Sequence, residues 1–352
     1  MCGFEIEQRT KSKDKRLKPQ TFQTSNSSNE NMKQNNILTY SLVALVIIAL
    51  IILGYFFIKP NHTGIDENPY SMKMDSLGEI PSDKFCATNY SYIPLEGTKS
   101  EAIAVDKNNN IYASSDKKIL CFDEKGNPIS EINCDYLATA LTFSGDKLIA
   151  AFTNEISIFD AAGKQLLNWK MGNEKSYITS LAAIDGNIYA ADAQAAKVYC
   201  FSQDGKLLKT IGQKTDKKEL TFFVLPSYYF DVAISEDKSI WIANTGRHKL
   251  VQLDNNEHII SSWGETASAV EGFCGCCNPS NFALMRDGSF ITAEKGLVRV
   301  KKYNKNGDFE CVIAGPEKFK EDAKGLDIAI DSNDRIYVLE PEAMKIHIFE
   351  VK

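Results

Sequence analysis

The sequence predicts an all-β fold, a six-bladed β-propeller, preceded by a single N-terminal transmembrane helix. Three observations carry this expectation. A strand–turn–strand pattern recurs six times after residue 98, with second strands aligned on residues 111, 148, 188, 240, 290 and 336. The resulting spacings of 37, 40, 52, 50 and 46 residues suit a blade of four short strands. Ahead of the repeats, residues 37–58 form an uncharged run of 22. At about 1.5 Å per residue, such a helix crosses the roughly 30 Å hydrocarbon core.

The second strands read Ile111-Tyr-Ala-Ser-Ser, Leu148-Ile-Ala-Ala-Phe, Ile188-Tyr-Ala-Ala-Asp, Ile240-Trp-Ile-Ala-Asn, Phe290-Ile-Thr-Ala-Glu and Ile336-Tyr-Val-Leu-Glu. Third strands end in an aromatic-plus-Asp pattern, as in Ile119-Leu-Cys-Phe-Asp123, and are followed by glycine turns. Alternation gives each strand one face for each neighbouring blade, so the blades bury one another. The sixth copy stops after its third strand. Tyr90-Ser-Tyr-Ile-Pro-Leu95 precedes the first copy and can supply the missing outer strand, closing the ring and covering its edge. Pro94 is tolerable on such an edge.

Tyr55, Phe56 and Phe57 lie at one end of the apolar run, and no small-x-small cleavage site follows it. Arg9, Lys11, Lys13, Lys15, Arg16, Lys18 and Lys33 precede the run, whereas only Lys59 follows closely. The positive-inside rule then puts residues 1–36, a polar disordered tail, in the cytoplasm. Residues 59–84 form a linker. The propeller, 85–352, lies outside the cytoplasm, periplasmic or at the cell surface, with the membrane contacted through one helix. Residues 60–352 carry 32 Lys/Arg against 42 Asp/Glu. That acidic balance of −10 argues against a nucleic-acid partner.

Chemistry concentrates in three places. Gly272-Phe-Cys-Gly-Cys-Cys-Asn-Pro279 holds Cys274, Cys276 and Cys277 in the loop leading into the fifth blade. The spacing of Cys274 and Cys277 suits a soft metal or a redox dithiol. Structural disulfides are the plainer alternative, because eight Cys follow residue 59. A turn is required for Cys276 and Cys277 to point the same way, and Gly275 and Pro279 favour one. Second, the last residues of the second strands include Asp192, Asn244, Glu294 and Glu340. They form either a cation ring of oxygen ligands or caps on the adjoining turns. Third, the long loops at about 213–229 and 265–280 open on one face. The first carries Phe222, Phe223, Tyr228 and Tyr229. These either form a binding surface or plug a blade junction. A metal ion is the cofactor these residues suggest. The four histidines, His62, His248, His258 and His347, offer poor support for a three-His zinc site.

Thr245-Gly-Arg-His-Lys-Leu-Val-Gln-Leu-Asp254, Asp204-Gly-Lys and Ala190-Ala-Asp resemble the repeat of NHL-type β-propellers. Gly-Cys-Cys-Asn-Pro, then Ala-Glu-Lys-Gly and Arg-Val-Lys, is similar to a block of bacterial, membrane-anchored NHL-type proteins. The resemblance implies the propeller over about 90–352 and implies no activity. Gluconolactonase-like propellers hold a cation with Glu, Asn and Asp, which is what the carboxylate ring would imply. The leading expectation is a binding or scaffold module that presents its loop face to a protein or small ligand. A redox or metal accessory role through the cysteines comes second, and a metal-dependent hydrolase or lyase third.

Overall fold

The computed structural model describes residues 46–47, 79–212, 223–321 and 323–351. The chain divides into two units, 1–71 and 72–352. Of the first, Val46 and Ile47 are described and are helical. The expected membrane span, 37–58, otherwise lies outside the described residues. Among those residues no helix is long and apolar enough to cross a membrane.

The second unit contains six four-stranded antiparallel sheets. Strand β1 (Ala87–Pro94) comes first in the chain and completes the last sheet. Blade 1 is β2 (Ile103–Val105), β3 (Ile111–Ser115), β4 (Lys118–Phe122) and β5 (Pro128–Asn133). Blade 2 is β6 (Ala140–Ser144), β7 (Lys147–Phe152), β8 (Glu155–Phe159) and β9 (Gln165–Lys170). Blade 3 is β10 (Ile178–Ile184), β11 (Asn187–Asp192), β12 (Lys197–Ser202) and β13 (Leu207–Ile211). Blade 4 is β14 (Val232–Ile234), β15 (Ile240–Asn244), β16 (Lys249–Leu253) and β17 (Ile259–Trp263). Blade 5 is β18 (Asn281–Leu284), β19 (Phe290–Glu294), β20 (Arg299–Tyr303) and β21 (Phe309–Ala314). Blade 6 is β22 (Asp327–Ile330), β23 (Ile336–Glu340), β24 (Lys345–Val351) and β1.

The core is divided among the six blade junctions, and strand periodicity does the dividing. In β15, Ile240 and Ile242 pack toward blade 3, whereas Trp241 and Ala243 pack toward blade 5. In β23, Ile336 and Val338 face blade 5, and Tyr337 and Leu339 face blade 1. Removing such side chains from water stabilises by roughly 1.5–3 kcal/mol each.

The ring closes as the sequence requires. β1 runs antiparallel to β24, pairing Tyr90 with Phe349, Tyr92 with His347 and Ile93 with Ile346. The closing strand also carries a side-chain relay: Tyr90 Oη lies 3.1 Å from His347 Nδ1, and His347 Nε2 lies 2.7 Å from Glu340 Oε2. Just before β1, a disulfide joins Cys86 to Cys311 of β21.

The first strands of the blades surround an axial cavity of 280 Å³. Two aspartates lie in its wall and staple neighbouring blades. Asp231 accepts the Val232 N–H at 2.8 Å and, from blade 5, the Phe282 N–H at 2.7 Å. Asp327 accepts the Ile328 N–H at 2.9 Å and, from blade 1, the Ile103 N–H at 2.8 Å. Their depth within the disc pushes the Asp231 carboxyl up to about 6 and that of Asp327 up to about 7.

Candidate functional site

The chain between β17 and β18 is held from below by buried charge. Glu294, the last residue of β19, takes a two-point contact from Arg299, Nε to Oε2 at 2.6 Å and Nη2 to Oε1 at 3.0 Å. Lys301 lies on the same face of β20, two residues on, with Nζ 3.2 Å from Glu294 Oε2. Lys301 also donates to Gly272 O at 2.6 Å and Val270 O at 3.0 Å, over the rings of Phe273 and Tyr303. Burial pushes its ammonium down to about 8 even beside Glu294. Glu294 Oε1 in turn accepts the Cys274 N–H at 3.2 Å. Phe273 is fully buried against Trp263 and Tyr303.

Above this base the chain turns sharply. Gly275 sits at φ +84°, in the left-handed region that glycine adopts without penalty. Its carbonyl accepts from His248 Nε2 at 2.6 Å, which leaves His248 Nδ1 to accept from the Thr266 hydroxyl. Asn278 donates to Cys274 O and to Lys295 O at 3.0 Å, and accepts the Lys295 N–H at 2.9 Å. The turn thus ties Cys274 to the segment that follows β19.

The result is two adjacent thiols side by side, with Cys276 Sγ 3.3 Å from Cys277 Sγ. Cys276 is exposed and Cys277 is fully buried. Lys295 Nζ lies 3.8 Å from Cys276 Sγ and 5.3 Å from the centre of the Tyr229 ring. The thiol of Cys277 donating to Cys276, and then the charge of Lys295, hold the Cys276 thiol below its ordinary value. Burial raises that of Cys277. Ser227 Oγ is buried and has no hydrogen-bond partner among the described residues. Cys274, half-buried, makes its contacts through its backbone.

The aromatic loop divides into two roles. Phe223 is buried and packs on Phe230 with centroids 5.1 Å apart, plugging the junction of blades 3 and 4. Phe222 lies outside the described residues. Tyr228 is exposed; its hydroxyl donates to Gln194 Oε1 at 2.9 Å and its ring lies 5.5 Å from Tyr177. Tyr229 covers Lys295. Tyr229 of the first long loop therefore lies over Lys295, which also faces Cys276 of the second.

The four residues expected as a cation ring or as caps have one observed task in common. Asp192 accepts the Tyr177 N–H at 3.1 Å, Asn244 the Val224 N–H at 2.8 Å, Glu294 the Cys274 N–H, and Glu340 the Lys320 N–H at 2.7 Å. Each clasps the segment leading into its own blade. Only Asp192 also caps the turn after its strand, accepting the Ala195 N–H at 3.0 Å. Among the described residues no group of three or more His, Cys, Asp and Glu gathers at metal-binding range. Disulfide formation is likewise narrower than the cysteine count suggested. Among the described residues Cys86 and Cys311 are joined, while Cys121 and Cys200 are buried thiols in separate blades and Cys134 is a half-buried thiol.

Sequence reasoning missed Lys295, Arg299 and Lys301 as parts of this site. The signal for the last two is the alternation Arg299-Val-Lys301, which puts two cations on one face of β20 opposite the end of β19.

No protein-family model matches the sequence. Comparison with curated proteins finds no match either. Solved structures do match in shape. A gluconolactonase from Xanthomonas campestris aligns at 14% identity over 78% of this chain and 93% of its own, with a TM-score of 0.56. A streptogramin B lyase aligns at 10% identity over 75% and 98%, TM-score 0.53. A virginiamycin B lyase from Staphylococcus aureus aligns at 12% over 75% and 99%, TM-score 0.52. At such identities the likeness is one of fold: this chain is a six-bladed β-propeller, a fold these enzymes share.

Proposed function

We propose that the chain is a membrane-anchored, extracytoplasmic binding propeller of NHL type whose loop face captures a thiophilic ligand through Cys276 and Cys277. The carrying observation is the pair of adjacent sulfurs 3.3 Å apart, one exposed and one buried, with a lysine beside the exposed one. A soft metal ion, a trivalent metalloid or an organic disulfide matches such a pair. Tyr228 and Tyr229 supply the flanking contact surface. The repeat motif at Thr245–Asp254 supports the NHL assignment, and the apolar run 37–58 with its basic N-terminal flank supports the anchor. The Cys86–Cys311 disulfide fits an oxidising compartment.

The test is titration of the full-length chain in detergent, its free thiols reduced and its Cys86–Cys311 disulfide retained, with phenylarsine oxide, a reagent selective for paired thiols. One equivalent should bind at Cys276–Cys277 and resist a monothiol but yield to a dithiol. Cys276→Ser and Cys277→Ser should each abolish this. Binding that survives both substitutions would overturn the reading.

A further inference from the structure

We infer that Cys276 and Cys277 are the attacking and resolving thiols of a thiol–disulfide exchange reaction whose substrate is an organic disulfide. The inference deepens the dithiol reading above and rests on it.

The asymmetry of the pair is what assigns the roles. Cys276 is exposed at the tip of the turn, so an incoming disulfide meets it first. Cys277 is fully buried and is shielded from a direct encounter with substrate. Lys295, 3.8 Å from Cys276 Sγ, favours its thiolate, the nucleophilic form. The neighbouring thiol of Cys277 donates to the same sulfur, adding to that preference.

The chemistry balances without a further reactant. The Cys276 thiolate attacks one sulfur of R–S–S–R, forming a Cys276–S–S–R bond and expelling R–S⁻. That departing thiolate takes the proton of the Cys277 thiol. The Cys277 thiolate then attacks Cys276 Sγ, forming the Cys276–Cys277 disulfide and expelling the second R–S⁻. Two electrons pass from the dithiol to the substrate. The second step needs the sulfurs to close from 3.3 Å to the roughly 2.05 Å of a disulfide bond, forming an eight-membered ring across the Cys276–Cys277 peptide, about which the turn must adjust. Each chain turns over once, and an external dithiol must restore it.

Outside the loop, the described free thiols offer weaker competition. Cys121 and Cys200 are buried and their thiols are raised by desolvation. Burial also raises Cys134, to about 11. All three therefore hold little thiolate at neutral pH.

The experiment uses the full-length Cys2→Ser chain in detergent, reduced under conditions that mass mapping shows to leave the Cys86–Cys311 disulfide intact, with 5,5′-dithiobis(2-nitrobenzoic acid) as the disulfide probe. The expected result is rapid release of two equivalents of thionitrobenzoate and no retained adduct. Peptide mapping should find a Cys276–Cys277 link, lighter by two hydrogens. Cys277→Ser should release one equivalent and keep the adduct on Cys276. The measurements on Cys2→Ser alone decide the matter if that variant fails to fold. An adduct that persists on Cys276 without ring closure, initial attack by Cys277, or closure onto Cys274 would each overturn the inference. If phenylarsine oxide still binds while exchange fails, only the exchange reaction falls. If both fail, the dithiol reading falls with it.

Discussion

Cys276 and Lys295 face one another at 3.8 Å, sulfur to ammonium nitrogen, although 19 residues of chain separate them. The contact exists because the turn at Gly275 brings the thiol over the end of β19, and Asn278 pins the Lys295 backbone beneath it. The alkylation rate of Cys276 should therefore reach half its maximum at a lower pH than an ordinary thiol. Cys277→Ala, which removes the larger cause of the shift, should raise that midpoint more than Lys295→Ala, and Lys295→Arg should largely preserve it. Rates measured with iodoacetamide across pH, with mass mapping of the adduct, check this. An unchanged midpoint in both alanine variants would contradict it.

Glu294 faces two buried cations, so Glu294→Gln leaves Arg299 and Lys301 without a counter-charge. Removing one partner from a buried ion pair costs about 3–5 kcal/mol. The glutamine oxygen can still accept the Cys274 N–H, so the loss should come from charge. Urea unfolding should show the drop, and proteolysis should become faster within residues 265–280. A variant as stable as the parent would mean that the cations carry little of the load.

The aspartates of the axial cavity give stability a pH dependence of known sign. Their folded values, about 6 for Asp231 and about 7 for Asp327, lie above the ordinary carboxyl value, which is roughly 3.9. The folded chain therefore holds protons that the unfolded chain releases. Their contribution is fully present below about pH 4, declines as pH rises through 6 and 7, and is flat above. With its amide nitrogen donating to Leu326 O and Ser280 O, the Asn281 carbonyl oxygen faces Asp327 Oδ1. Asp327→Asn should lower stability at every pH, because its amide nitrogen meets a backbone N–H, yet flatten the slope between pH 4 and 7. Denaturation series at fixed salt measure the slope. Equal slopes in parent and variant would count against the assignment.

The fold was legible because its determinants are local. Alternation at Ile240, Trp241, Ile242 and Ala243 assigns two neighbours to two junctions without knowledge of either partner. The closing strand was legible because the sixth repeat lacks one. The site was legible only as a concentration of cysteines. What tunes Cys276 comes from Lys295, and what holds the turn comes from Glu294 and Lys301, all set by the register of β19 with β20. Cys86 and Cys311 are 225 residues apart, and no sequence spacing selects that pair. The three carboxylates and one amide at the ends of the second strands were readable as a set, but not as clasps, because their backbone partners lie 15 or 20 residues upstream.

β1 is the outermost strand of blade 6 and comes from the opposite end of the propeller chain, so its loss would open the ring and expose the edge of β24. Two features hold it besides the ladder. Tyr90, His347 and Glu340 form a relay across three strands, and the Cys86–Cys311 disulfide fastens the segment before β1 to blade 5. A bond closing a loop this long stabilises chiefly by restricting the unfolded chain, typically by about 2–4 kcal/mol. The Cys86→Ser/Cys311→Ser double variant should lose stability on that scale and remain folded, because the β1–β24 ladder persists. Adding Tyr90→Phe removes the hydroxyl from His347 Nδ1 while keeping the ring against Phe349, and should cost about 1 kcal/mol more. Hydrogen exchange should locate both losses first in β1 and β24, leaving blades 2 and 3 protected. Uniform loss across all six blades would show that closure is not the weak point of the ring. Full stability in the double variant would show that the ladder alone closes it.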